Sequence, residues 1–118
     1  MHGLPPDVDL SFFAGCQLLQ VCVGENEVIL NLHADISIMI ASTVRVVHPG
    51  GETDTADRST DIGPAVLILL GKEICEASGS PDGTLRLVWS DGSALEILDS
   101  WKEFESYTVR HGDTLIVV

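Results

Sequence analysis

The stretch from Gly71 to Leu98, GKEICEASGSPDGTLRLVWSDGSALEIL, constrains the fold more than any other part of the chain. Leu85, Leu87 and Trp89 alternate with Arg86, Val88 and Ser90, the period of two that a strand shows when one face is buried. Ser80-Pro81-Asp82-Gly83 precedes this strand and Ser90-Asp91-Gly92-Ser93 follows it. In both places Asp-Gly supplies the positive-φ position of a tight turn, so three antiparallel strands in succession are expected.

The first half of the chain can be laid on the same pattern. With Gly15 set on Gly71, Leu18 falls on Ile74 and Val21 on Ala77. One extra residue in the later turn then brings Val28, Leu30 and Leu32 onto Leu85, Leu87 and Trp89, and Ile38 and Ile40 onto Leu95 and Ile97. The predicted fold class is therefore mainly β: two similar three- to four-stranded antiparallel units, sandwich or barrel-like, with one or two short helices. A single domain over residues 1–118 is expected, its internal repeat running over about 7–47 and 61–110.

Taken in order, prolines at 5 and 6 delay regular structure, and Asp7 or Asp9 is placed to cap a short helix that runs through Phe13 and ends at Gly15. Strands follow over Cys16 to Val23, Glu27 to Leu32, Ile36 to Ile40 and Thr43 to Val47. In the second of them Val28, Leu30 and Leu32 face the core. Residues 48–63, HPGGETDTADRSTDIG, show no periodicity and read as a long acidic loop. A helix is expected from Asp61 to Leu70 with Gly71 behind it, although an apolar run as short as Ala65 to Leu70 also fits a buried strand. Further on, Ser100 and Glu103 have the spacing of a capping box that would present Trp101 and Phe104 to the core. A closing hairpin then runs over Tyr107 to Arg110 and Thr114 to Val118. Its last strand is strongly apolar, so it is either central or an edge that a second chain covers, and the second option predicts a homodimer.

Charge and cysteine content narrow the function classes. The chain carries 18 acids and 6 Lys or Arg for a net charge of −12, spread over both halves, which opposes binding to a phosphate backbone and suits a basic protein partner. The candidate contacts for such a partner are Glu52, Asp54, Asp57 and Asp61. The longest apolar run is too short to cross a bilayer, and the first residues lack the pattern of a secretory signal, so a cytoplasmic protein is expected. Cys16, Cys22 and Cys75 are an odd number in apolar stretches without CxxC spacing, which fits structural thiols in a reducing compartment.

Chemistry-bearing motifs are sparse. His33 and Asp35 lie two apart and could form a His–carboxylate pair for proton transfer or a weak metal site, with His48 as a further member. There is no G-x-S-x-G elbow, phosphate-binding glycine loop or HExxH in the sequence. The expectation is a non-enzymatic protein-binding module, inhibitor- or immunity-like, with no cofactor. The alternative is a small-molecule or metal-dependent enzyme using His33 and Asp35.

Leu69-Leu70-Gly71, the run from Asp82 to Ile97 with its two Asp-Gly turns, and Phe104-Glu105-Ser106-Tyr107 resemble a group of small bacterial proteins catalogued only as a domain of unknown function. The resemblance spans Leu69 to Val109. It implies a β-rich cytoplasmic bacterial protein and carries no catalytic residue over to this chain.

Overall fold

The alternating segments become strands, ten of them among the residues that the computed structural model describes, which are 4–5, 8–100 and 105–118. They are β1 (Leu18–Val23), β2 (Val28–Leu32), β3 (Ile36–Ile40), β4 (Val44–Val47), β5 (Thr53–Ala56), β6 (Ile74–Gly79), β7 (Leu85–Trp89), β8 (Ala94–Ile97), β9 (Tyr107–His111) and β10 (Thr114–Val117). Two antiparallel five-stranded sheets result, ordered β1-β2-β3-β9-β10 and β6-β7-β8-β4-β5. Each sheet keeps two edges, so the fold is not a closed barrel.

Every sheet takes three consecutive strands from one part of the chain and a hairpin from the other. The sequence places the Thr43–Val47 strand with its predecessors, but β4 instead leaves β3 and pairs with β8. The crossing is held by main-chain bonds. Ala41 N–H donates to the Ser106 carbonyl at 2.9 Å and Leu98 N–H to the Thr43 carbonyl at 3.0 Å, while the buried Ser42 hydroxyl donates to the Leu98 carbonyl. β9 makes the opposite crossing onto β3.

Where the two three-strand runs begin, they bond to each other. Gly15 N–H donates to the Ile74 carbonyl at 2.7 Å and Gly71 N–H to the Leu18 carbonyl at 2.8 Å. Both glycines have positive φ, +87° and +79°, a conformation that a Cβ would strain. Past them β1 and β6 each carry a bulge, at Leu19 and Cys75, that shifts the register against the neighbouring strand.

One core joins the sheets. Val28, Leu30, Leu32, Ile38 and Val109 on one side and Leu85, Leu87, Leu95, Ile97 and Val46 on the other are almost wholly buried, with Phe13, Ile62 and Val66 closing the ends. Tyr107 reaches between the layers, its hydroxyl donating to the Gly83 carbonyl at 2.6 Å.

The short helix before Gly15 is a single 3₁₀ turn, Ser11–Phe13, and Asp9 accepts the Ser11 N–H at its start. Segment 48–63, read as a loop, holds more structure than its composition suggests, because β5 and the first turn of helix α1 (Ser59–Leu67) lie within it. Every side chain of β5 is exposed or nearly so, which leaves no hydrophobic period to read. The helix begins two residues before Asp61 and ends at Leu67. Two further i→i+3 bonds, Leu69 N–H to the Val66 carbonyl and Leu70 N–H to the Leu67 carbonyl, tighten the chain before Gly71 turns it. The expectations for Asp7, Trp101, Glu103 and Phe104 lie outside the described residues. No helix of the described residues is long and apolar enough to cross a membrane.

Candidate functional site

Register determines which side chains face outward, and the two sheets differ there. In the first sheet one outward row runs Cys22, Ile29, Met39, Thr108, Val117 across all five strands. The row at the matching place in the second sheet runs Ser78, Arg86, Glu96, Arg45, Thr55. There Glu96 accepts from Arg45 at 2.8 Å and lies 3.4 Å from Arg86, so each charge has an opposite neighbour. The first row holds no ionisable carboxylate or base. Met39, Thr108, Leu115 and Val117, with Arg110 and Glu105, line a shallow groove of about 400 Å³ on the face of that sheet.

A second concavity, of about 460 Å³, opens where the β1–β2 turn meets the N-terminal end of α1. Glu25, Asp57 and Glu105 line it together with Arg58, Ser59 and Thr60. The fold builds this place by docking: buried Ser59 donates its hydroxyl to the Glu25 carbonyl at 2.8 Å, tying helix to turn. Arg58 is drawn to Asp61 at 3.2 Å, which leaves Glu25, Asp57 and Glu105 with no ion pair among the described residues. Three carboxylates around one opening make it a place of negative potential.

Of the four acids singled out in the sequence, Asp57 lines this groove. Asp54, on β5, lies 2.6 Å from His48 Nε2, and Asp61 is engaged by Arg58. Glu52 is exposed on the β4–β5 turn, where its carbonyl accepts the His48 N–H. The structure therefore does not gather the four into one surface site, and it adds Glu25 and Glu105. The local sequence gives neither a place in a site: Glu25 stands in the β1–β2 turn and Glu105 in the run before β9, and only the docking of α1 and the crossing of β9 bring them to Asp57.

His33 and Asp35 are exposed on the β2–β3 turn, where Ala34 and Asp35 have positive φ. His33 Nδ1 accepts the Gln17 N–H at 3.3 Å, and the Asp35 carbonyl accepts the Gly112 N–H. Both residues thus serve the turn, and His48 is taken by Asp54. Among the described residues no three or more His, Cys, Asp or Glu side chains are grouped so as to hold a metal. Cys16 is buried, Cys22 half-buried and Cys75 exposed, all as free thiols, and burial pushes the Cys16 thiol above its usual range.

The clear shifts in acidity belong to turns and core. Lys72, 2.6 Å from Asp91, with the Ser93 N–H beside it, holds the Asp91 carboxyl at about 2. The Ser80 hydroxyl and then the Thr84 N–H lower Asp82 in the neighbouring turn. Burial, with the carboxylates of Asp99 and Asp82 behind it, pushes the Tyr107 phenol well above its ordinary value.

These features define a two-sheet, mainly β protein with an ion-paired outward row on one sheet, an uncharged row at the matching place on the other and an acid-lined groove. The chain belongs to a family of unknown function, DUF6188, which matches residues 10–118 and so extends well beyond the Leu69–Val109 resemblance. No curated protein and no solved structure matches it.

Proposed function

We propose that the protein is a non-enzymatic binding module that receives a basic protein partner at the groove lined by Glu25, Asp57 and Glu105. The observation that carries this reading is the convergence of three carboxylates, unpaired among the described residues, on one concavity in a chain of net charge −12. A cationic side chain placed there meets opposite charge, and the field of the whole chain steers such a partner inward. The scaffold reading is supported by the recurrence of the same main-chain bonds at Gly15 and Gly71, which fits two similar units each held rigid by the other. The enzyme alternative on His33 and Asp35 finds less support, since both residues are engaged in a turn.

The test is capture from lysate at low and at high ionic strength, with the doubly neutralised variant Glu25→Gln/Asp57→Asn alongside. A basic protein retained by the parent at low salt, released as salt screens charges beyond about 10 Å, and lost from the variant is the expected result. Equal retention by parent and variant would overturn the assignment of the groove.

A further inference from the structure

We propose that β10 is a self-association edge, through which two copies of this chain join their first sheets into one continuous antiparallel sheet. This concerns a different surface from the acidic groove and stands without it. Among the described residues the two sheets have four edge strands, and three of them are guarded. β1 is bulged at Leu19 and packs against α1, with Val23 against Gly63; β6 is bulged at Cys75 and packs against the 3₁₀ turn and Leu4. β5 carries Asp54 at an inward-directed position, paired across to Val46 of a core row. A bulge or an inward charge at an edge is how sheets discourage further pairing.

The β10 edge has neither device. Its residue at the place matching Asp54 is Ile116, paired to Val109, and Thr114, Leu115, Ile116 and Val117 contain no charge, no proline and no register shift. Val118 and Tyr107 exchange both main-chain bonds, N–H to carbonyl at 3.0 and 3.4 Å. By the alternation of an antiparallel ladder, Ile116 is then bonded to Val109, while the N–H and C=O groups of Leu115 and Val117 point away from β9. These outward groups repeat at a two-residue spacing. A twofold axis at Ile116 sets Leu115 of one copy opposite Val117 of the other and closes four N–H···O bonds.

Charge identifies the occupant as a second copy. Chains of net charge −12 repel each other over most of their surface, yet the outward side chains of the first sheet's paired positions include a single ionised one, Arg110, and the groove on that face sets one carboxylate, Glu105, against it. A basic partner gains little from a face whose two charges offset each other, whereas a second such face meets it without net repulsion. Leu115, half exposed, would pack against Val117 of the other copy on both sides of the axis.

The experiment is sedimentation velocity of the whole chain from low to high micromolar concentration, at two ionic strengths. The parent is expected to shift from one mass to twice that mass, and the shift to come at lower concentration as salt rises, because screening relieves repulsion between like-charged copies. That salt response is opposite in sign to the one expected for a basic partner, so the two proposals fail separately. Leu115→Pro, which removes an outward N–H and leaves the Ile116 bonds in place, and Leu115→Lys, which keeps the backbone intact, should each weaken association at least tenfold with unchanged circular dichroism. A parent that stays monomeric throughout, or variants that associate as the parent does, would overturn the proposal.

Discussion

The outer faces of the two sheets are built on the same strand order and the same register, yet one outward row, Arg86-Glu96-Arg45, is closed by charge and the row at the matching place, Ile29-Met39-Thr108, is left uncharged. Met39 and Glu96 occupy matching places, as do Ile29 and Arg86, and Thr108 and Arg45. In the second sheet those choices yield an Arg–Glu–Arg ladder that water can solvate and no apolar chain would cover. In the first they yield a neutral strip that ends on an undefended strand. The difference teaches that the inner rows specify the fold, since they are alike, and that the outer rows are free to specify what each face meets.

The comparison is tested most severely in the core. If the inner rows are equivalent, Leu30→Ala and Leu87→Ala, both at full burial, should each cost about 2–5 kcal/mol in urea unfolding and agree within about 1 kcal/mol. A large inequality would break the equivalence of the sheets. Tyr107 sharpens the contrast, because its hydroxyl ties the first sheet to the turn before β7, while Val44 at the matching place makes no such bond. Tyr107→Phe should cost about 1–2 kcal/mol by leaving the Gly83 carbonyl unpaired. The phenol's pKa in the fold is displaced upward, so the unfolded chain ionises first, near the ordinary value of 10.0. The stabilisation is therefore complete below pH 10 and lost as pH rises above it, a loss that alkaline melts should show for the parent and not for Tyr107→Phe. The outer ladder is worth least. Glu96→Gln leaves Arg45 and Arg86 facing a neutral group, and its cost of about 0.2–1 kcal/mol at low salt should shrink when salt is added, whereas Met39→Gln should show no salt dependence in chemical denaturation.

Much of this was legible in advance because the buried positions alternate. β2, β3, β7 and β8 follow from Val28/Leu30/Leu32, Ile36/Ile38/Ile40, Leu85/Leu87/Trp89 and Leu95/Ile97, with Asp-Gly turns on either side of β7. The bulges left a trace: Leu18 to Val21 and Ile74 to Ala77 are spaced by three, which a regular strand does not allow for two residues on one face. Other features left none. β5 is unreadable because only its last residue, Ala56, packs partly against the core, and α1 starts at Ser59 behind an Arg58 whose side chain makes no cap bond. The exchange of hairpins between sheets is a long-range choice, set by where Ala41 and Leu98 find main-chain partners rather than by any local pattern. The acidic groove was partly legible: Asp57 stands in an acid-rich segment, whereas Glu25 and Glu105 reach it only through tertiary docking.

The central claim is that one strand edge, and not its counterpart, is open for pairing. Amide hydrogen exchange followed as a function of protein concentration tests it at single residues. The account predicts that Leu115 and Val117 become more protected as concentration rises while Thr53 and Thr55 of β5 do not change; concentration-independent exchange at Leu115 and Val117, or equal protection of both edges, would contradict it.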